Sequence, residues 1–155
     1  MLNGEAIMAE TKYLDAAIDG VYERLESVGG NPFDLPSVVQ PIAMLYTVQA
    51  IIDNGGFQYL FENDLLDQPY SAFVSAYRSI GAQRAAEALE KAISFFPFPD
   101  PHVDRERRMK FLETLDEDHE ITQLGDEVCG DETIWILMDQ YVSARPEAFP
   151  SIESA

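Results

Sequence analysis

The amino-acid sequence predicts an all-α fold, a compact single-domain bundle of about seven or eight helices over residues 1–155. Three observations predict it. Apolar residues recur at three- and four-residue spacing along most of the chain, the period of an amphipathic helix. No segment keeps up the alternation of a half-buried strand. Between the periodic segments stand short Gly and Pro turns, with no internal repeat, low-complexity tract or Gly/Ser linker to mark a second domain. At this length, with 46% hydrophobic residues interleaved with charge, one core can form without metals or disulfides.

From Glu5 to Val28, Leu14, Ile18, Val21, Tyr22, Leu25 and Val28 form one stripe, and Gly29-Gly30-Asn31-Pro32 ends it. This is a first long helix. A second runs from Ser37 or Pro41 to Asp53. Its residues Val38, Ile42, Leu45, Tyr46, Val48, Gln49, Ile51 and Ile52 leave little polar face, so it is expected to be central and buried. Asn54-Gly55-Gly56 then supplies a left-handed helix end, and Phe57 to Asn63 reads as a short helix.

Ser71 to Ile80 and Ala82 to Phe95 are two further helices divided at Gly81, the second rich in good helix formers. Pro97, Pro99 and Pro101 impose an extended connector. From His102 or Val103 to Leu115 a helix restarts, its first half holding Arg105, Arg107, Arg108 and Lys110. Glu132 to Ala144 is the last, with Asp131 at its cap position.

The formal charge of −18, from 28 acids against 10 bases, gives a pI near 4.1. Such a surface repels nucleic acid, whose affinity for proteins comes largely from Lys and Arg on phosphates. Direct nucleic-acid binding is therefore not expected, and the sign points to a cationic partner. The lone Cys129 excludes an internal disulfide framework and fits a reducing, cytoplasmic compartment. Met1 to Glu10 carries acids where a signal peptide carries Lys or Arg, and no apolar run approaches the roughly 18 residues that span a bilayer. No membrane role is expected.

The acids are unevenly placed. From Leu25 to Tyr77 there is no Lys or Arg, while Glu26, Asp34, Asp53, Glu62, Asp64 and Asp67 are present. From Phe111 to Ala144 there is again no Lys or Arg, and the acids are denser, with Asp116, Glu117, Asp118, Glu120, Asp126, Glu127, Asp131 and Glu132 among them. The C-terminal part over about residues 113–139 is thus the acidic part of the chain.

Little else offers chemistry. His102 lies in the proline connector and His119 in an acidic stretch, both expected to be solvated, and Cys129 reads as a small core or surface residue. Asp116, Asp118, Glu120 and Glu127 fall on positions one, three, five and twelve of a calcium-binding EF-hand loop, but Ile121 stands where the turn needs Gly. A carboxylate pair such as Asp116 with Asp118 or Glu120 lacks a nucleophile or a defined pocket beside it. The expectation is no enzyme, no metal and no cofactor.

The acids themselves carry the functional reading. Duplex DNA presents one charge per ~1.7 Å of axis, and carboxylates a helical turn apart, about 5 to 6 Å between neighbours, can imitate part of that array. Such a surface competes for the basic groove of a DNA-binding protein. The alternative is an immunity- or adaptor-type module that recognises one protein by shape and apolar contact, with charge serving solubility and on-rate.

The stretch Val48 to Asn63, built around Asn54-Gly55-Gly56-Phe57 and Phe61, resembles a bacterial family of helical domains that includes a DNA mimic protein. Ser79-Ile80-Gly81-Ala82, Ala85-Ala86 and Glu90-Lys91-Ala92-Ile93 to Phe96-Pro97 continue the likeness, which covers about residues 35–115. The resemblance implies an all-helical fold and an acidic homodimer occupying the DNA-binding face of a transcriptional regulator or nucleoid protein. The motif residues also have structural roles to fill: Gly55 and Gly56 for backbone angles other residues resist, Asn54 for the helix end, and Phe57, Tyr59, Leu60 and Phe61 for the core.

Overall fold

The computed structural model describes residues 11–64 and 67–154, and within them the chain is all-helical, with no strand. Seven α-helices follow in order: α1 (Lys12–Ser27), α2 (Gln40–Glu62), α3 (Tyr70–Ser79), α4 (Gln83–Ile93), α5 (Arg105–Glu113), α6 (Glu120–Val128) and α7 (Glu132–Ser143). Short 3-10 turns cover Pro32–Asp34 and Pro150–Ser154. The part of the expected first helix from Glu5 to Glu10 lies outside the described residues. The chain forms two units, one of residues Met1–Leu45 with Glu132–Ala155 and one of Tyr46–Asp131.

In the first unit α1 buries Leu14, Ala17, Ile18 and Val21, one face at i, i+3, i+4 and i+7. That face packs on α7 and on the C-terminal 3-10 turn. The buried Asp139 of α7 holds the start of α1: its Oδ1 accepts hydrogen bonds from the backbone N–H of Tyr13 (2.8 Å) and Leu14 (2.9 Å). These are two of the amides that the first turn of a helix leaves without an internal partner. At the other end of α1, Arg24 Nη1 donates to the Ala148 carbonyl at 2.8 Å. Tyr141 donates to the Val38 carbonyl at 2.6 Å, under the Arg145 guanidinium, which stacks 3.8 Å from the ring centre.

In the second unit α3 packs on α4 and α4 on α6. The buried face of α4 is Ala85, Ala86, Ala88, Leu89 and Ala92. Its small side chains let neighbouring backbones come close. Phe61 lies with Tyr70 at 5.1 Å and Phe96 at 5.0 Å between ring centres, and Phe96 in turn meets Phe111 at 5.0 Å. Arg108 sits beside this cluster, 2% exposed, and spends its guanidinium on the carbonyls of Phe61 (2.6 Å) and Pro101 (2.8 Å) and on Asp64 Oδ1 (2.9 Å). One of the four bases in the first half of the expected helix is therefore an internal strut.

The helix α2 is not continuous. Gly55 (φ −165°, ψ 15°) and Gly56 (φ 71°, ψ −162°) leave helical geometry, so a segment ending near Asn54 meets a second one that starts at Phe57. Asn54 Nδ2 donates to the Ala50 carbonyl at 3.0 Å and closes the first segment, as expected. Two expectations about this motif need correction. The φ of Gly55 is one any residue adopts. Glycine is required there because a Cβ would stand 2.6 Å from both Cβ and Cγ of Tyr59. Only Gly56 is needed for its backbone angle. Tyr59 itself is not in the core: it is 50% exposed, while Phe57, Leu60 and Phe61 are fully buried. The i, i+3, i+4 face belongs to those three, which leaves Tyr59 on the outer side.

The helix α6 is an addition to the predicted set. Its buried residues Ile121, Gly125 and Val128 are spaced i, i+4, i+7, but glycine in the middle position and acids around it hide the stripe. A Cβ on Gly125 would stand 2.8 Å from the Phe57 backbone nitrogen, so the glycine lets α6 lie directly against the start of the post-kink segment.

Candidate functional site

Of the acids singled out in the sequence, the second unit gathers one continuous group. Asp116, Glu117 and Asp118 form an exposed turn that leads into α6, whose exposed residues include Glu120, Asp126 and Glu127. The turn is fixed locally. Asp116 Oδ1 accepts the backbone N–H of Asp118 at 3.1 Å, and His119 Nδ1 accepts that of Ile121 at 3.1 Å, capping α6. Phe95 stacks edge-on against the His119 ring at 5.2 Å. His119 is thus a half-buried cap, a structural role in place of the solvated one expected of it.

The acids of α6 do not all face one way. At 3.6 residues per turn, Glu120, Leu124 and Glu127 fall on one side and Asp126 on another. Glu127 and Leu124 border a groove of about 180 Å³ whose other wall is Arg84, Glu87, Ala88 and Lys91 of α4. Lys91 Nζ lies 3.5 Å from Glu120 Oε1, with both side chains about half exposed. Glu120 and Glu127 therefore face cations of their own unit. Among the described residues Asp116, Glu117, Asp118 and Asp126 form no ion pair and point their charge outward.

The acids of the other base-free stretch divide differently. Asp64 is claimed by two arginines, Arg105 and Arg108. Glu62 accepts from Gln58 Nε2 at 3.0 Å. Asp67 is exposed. Asp53 is a strut: its Oδ1 accepts from Gln49 Nε2 at 2.8 Å and from the Gly130 backbone N–H at 2.7 Å. Asp131 is half-buried, and Glu132 opens α7 in the other unit.

Behind Asp53 lies a buried polar group that composition and charge do not single out. Gln49, with no exposed surface, donates to Asp53 Oδ1 and to the Val128 carbonyl (3.0 Å) and accepts from the Tyr77 hydroxyl (2.6 Å). Burial pushes the Tyr77 hydroxyl pKa well up, reinforced by the Asp53 charge, so it stays a donor. The network ties the C-terminus of the acidic helix to α2 and α3. The signal in the sequence is a lone amide inside the apolar run Val48–Ile52. Cys129 Sγ lies 3.5 Å from the Asp53 carbonyl in the same network.

The described residues place no group of three or more His, Cys, Asp or Glu so as to hold a metal, and no described helix is long and apolar enough to cross a membrane. What the arrangement offers is an exposed turn and helix of outward carboxylates on a satisfied, rigid support. The model of one protein family, described as DMP19-like protein, matches residues 33–145. Comparison with curated proteins and with solved structures finds no match.

Proposed function

The chain belongs to the DMP19-like protein family, and we propose from that premise that it is an acidic protein-binding domain acting as a DNA mimic. It occupies the basic DNA-binding face of a transcriptional regulator or nucleoid protein in the cytoplasm, as a homodimer, and catalyses no reaction. One observation carries the reading: Asp116, Glu117, Asp118 and Asp126 hold four outward charges, without ion pairs among the described residues, on a turn and helix anchored by His119 and Gln49. Fixed carboxylates can meet a Lys- and Arg-lined groove without first being ordered, which is the advantage of a pre-organised surface. The net charge of −18 adds long-range steering toward such a partner.

The test is capture from bacterial lysate at low and moderate salt, followed by elution with duplex DNA. A DNA-binding protein released by DNA supports mimicry. Charge reversal of Asp116, Glu117, Asp118 and Asp126 to Lys is expected to abolish capture while the circular dichroism spectrum stays helical. A partner that is not basic, held through high salt and indifferent to the reversal, would replace mimicry with immunity- or adaptor-type recognition.

A further inference from the structure

His119 stands where one proton would alter the acidic face. Its ring Nδ1 accepts the backbone N–H of Ile121 at 3.1 Å and so caps α6, while Phe95 meets the ring edge-on at 5.2 Å between centres. Its own carbonyl accepts from the Thr122 backbone N–H at 3.0 Å, which starts the helix. A backbone N–H can only donate, so Nδ1 holds a lone pair and the capping ring is neutral, with its proton on Nε2. An imidazolium carries a proton on both nitrogens and cannot make this bond. Its charge would also oppose the dipole of the helix N-terminus. Asn, Ser or Thr, residues that commonly cap helices, would hold the same amide without titrating. The half-buried histidine ring is in contact with solvent protons and gives up its bond when it takes one.

The charged groups around the ring decide what that second proton does. Asp116, Glu117 and Asp118 precede it in the turn, Glu113 ends α5 and Glu120 follows it in α6. On the side of α4 that leads to Phe95, the cation of the last turn is Lys91, which lies 3.5 Å from Glu120. Protonation therefore has two effects of the same sign toward a cationic partner. It withdraws the cap that seats α6 behind the acidic turn, and it adds a positive charge among carboxylates that otherwise face outward.

We propose that His119 is a pH-sensitive latch, whose protonation releases the cap of α6 and lowers the affinity of the acidic turn for a cationic partner. This rests on the reading of Asp116, Glu117, Asp118 and Asp126 as the partner-binding surface. It adds a control in the window from about pH 7.5 to about pH 5.5, where histidine ordinarily titrates and carboxylates ordinarily do not.

A labelled oligolysine peptide is the probe, since lysine keeps its charge throughout that window. Wild-type affinity is expected to fall by about three- to ten-fold from about pH 7.5 to about pH 5.5, the weight of one lost cap or one adverse charge at a helix end. In the free protein, an NMR titration is expected to move the Ile121 amide resonance with the same midpoint as the His119 ring. His119→Asn supplies a cap that takes up no proton, keeps His102 as the remaining histidine, and is expected to bind the peptide equally at both pH values. Circular dichroism checks that this variant stays helical, and the wild-type amide titration stands whatever the variant does. A wild-type affinity that ignores pH, an equal fall in His119→Asn, or an Ile121 amide indifferent to the ring overturns the latch. The parent reading fails separately. If charge reversal at Asp116, Glu117, Asp118 and Asp126 leaves the peptide bound as before, the acidic turn is not the binding surface and its control falls with it. If reversal abolishes binding while wild-type affinity ignores pH, only the latch falls.

Discussion

The hydroxyl of Tyr77 donates a 2.6 Å hydrogen bond to Oε1 of Gln49, and neither side chain has any exposed surface. Gln49 then spends its amide protons on Asp53 and on the Val128 carbonyl, so every polar atom of the pair is used. The helix that carries the exposed acids is anchored at its C-terminal end through this amide.

Removing the tyrosine hydroxyl leaves Gln49 Oε1 buried with no donor. Tyr77→Phe is expected to cost about 1–3 kcal/mol, the desolvation penalty of an orphaned acceptor. Gln49→Met costs more alone, since it strands the Tyr77 hydroxyl and the Val128 carbonyl. The double variant is expected to lose less than the sum of the two, because neither partner is then left facing an empty position. Urea unfolding of the three variants measures this. Strict additivity would show that the bond contributes nothing.

The same burial makes a prediction about alkali. Tyr77 is pushed well above its ordinary value by burial and by the Asp53 charge. Tyr70 is pushed up to about 12 by burial and the Asp64 charge, against the opposing pull of Arg108. In the unfolded chain a tyrosine releases its proton near pH 10. A raised folded value means that the unfolded chain loses the proton first. The stabilising contribution is therefore complete below about pH 10 and is lost as pH climbs toward the folded values. Within that window each group lowers stability by up to about 1.4 kcal/mol per pH unit. Urea midpoints at pH 9 and above are expected to fall more gently in Tyr70→Phe than in wild type. Equal slopes would mean that Tyr70 is not held protonated.

The two motif glycines are expected to respond differently to alanine. At Gly56 the positive φ makes any side chain strained, and Gly56→Ala costs about 1–3 kcal/mol whatever surrounds it. At Gly55 the obstacle is the Tyr59 side chain. Removing its Cβ with Tyr59→Gly is therefore expected to recover part of the loss in Gly55→Ala, net of its own cost, and none of that in Gly56→Ala, whereas Tyr59→Ala keeps the Cβ and recovers little. A thermal-melt comparison of the two double variants decides it, and equal rescue would disprove the separate roles.

How much of this was legible in the sequence depends on what each residue's spacing encodes. The helices α1 and α2 are announced by apolar periodicity and α4 by its good helix formers, α3, α5 and α7 stand between the turn signals that bound them, and the chain break at Asn54-Gly55-Gly56 shows in its turn chemistry. The helix α6 escaped because its central buried residue, Gly125, reads as a turn signal, while its real meaning is contact with the Phe57 backbone. Tyr59 was misplaced for a related reason. Within Phe57-Gln58-Tyr59-Leu60-Phe61 a single buried face accommodates only three of the four apolar residues, and composition does not say which is left out. For the acids, the base-free stretches are plain in the sequence. Which of them are spent is not: Asp64 meets arginines more than forty positions away, and Asp53 meets Gly130 from the opposite end of its unit.

That distinction separates two kinds of charge reversal. Asp64→Lys sets a cation against Arg105 and the 2%-exposed Arg108, which already holds the Phe61 and Pro101 carbonyls. A clear drop in stability is expected. Arg108→Met strands those carbonyls and is expected to cost about 3–5 kcal/mol, as when one partner of a buried pair is removed. Asp118→Lys sits on an exposed turn and is expected to stay within about 0.5 kcal/mol of wild type. Thermal melts of the three order them, and an Asp64→Lys as stable as Asp118→Lys would show that the two arginines do not depend on it.

Salt is expected to act in opposite directions on folding and on binding. With a net charge of −18 the folded chain repels itself, and raising ionic strength from about 0.01 M to about 0.15 M shortens the screening length from about 30 Å to about 8 Å. The melting temperature should rise over that range. Affinity for a basic partner should fall over the same range, because the attraction that steers it is screened by the same ions. Substituting Asp116, Glu117, Asp118 and Asp126 with their amides should flatten both dependences together, since these outward carboxylates are among the sources of the repulsion and, in the mimic reading, the main source of the attraction. Melting curves and binding isotherms on one salt series test the pair. If the amide variant kept the full salt dependence of binding while losing that of stability, the partner would be reading charge elsewhere on the molecule.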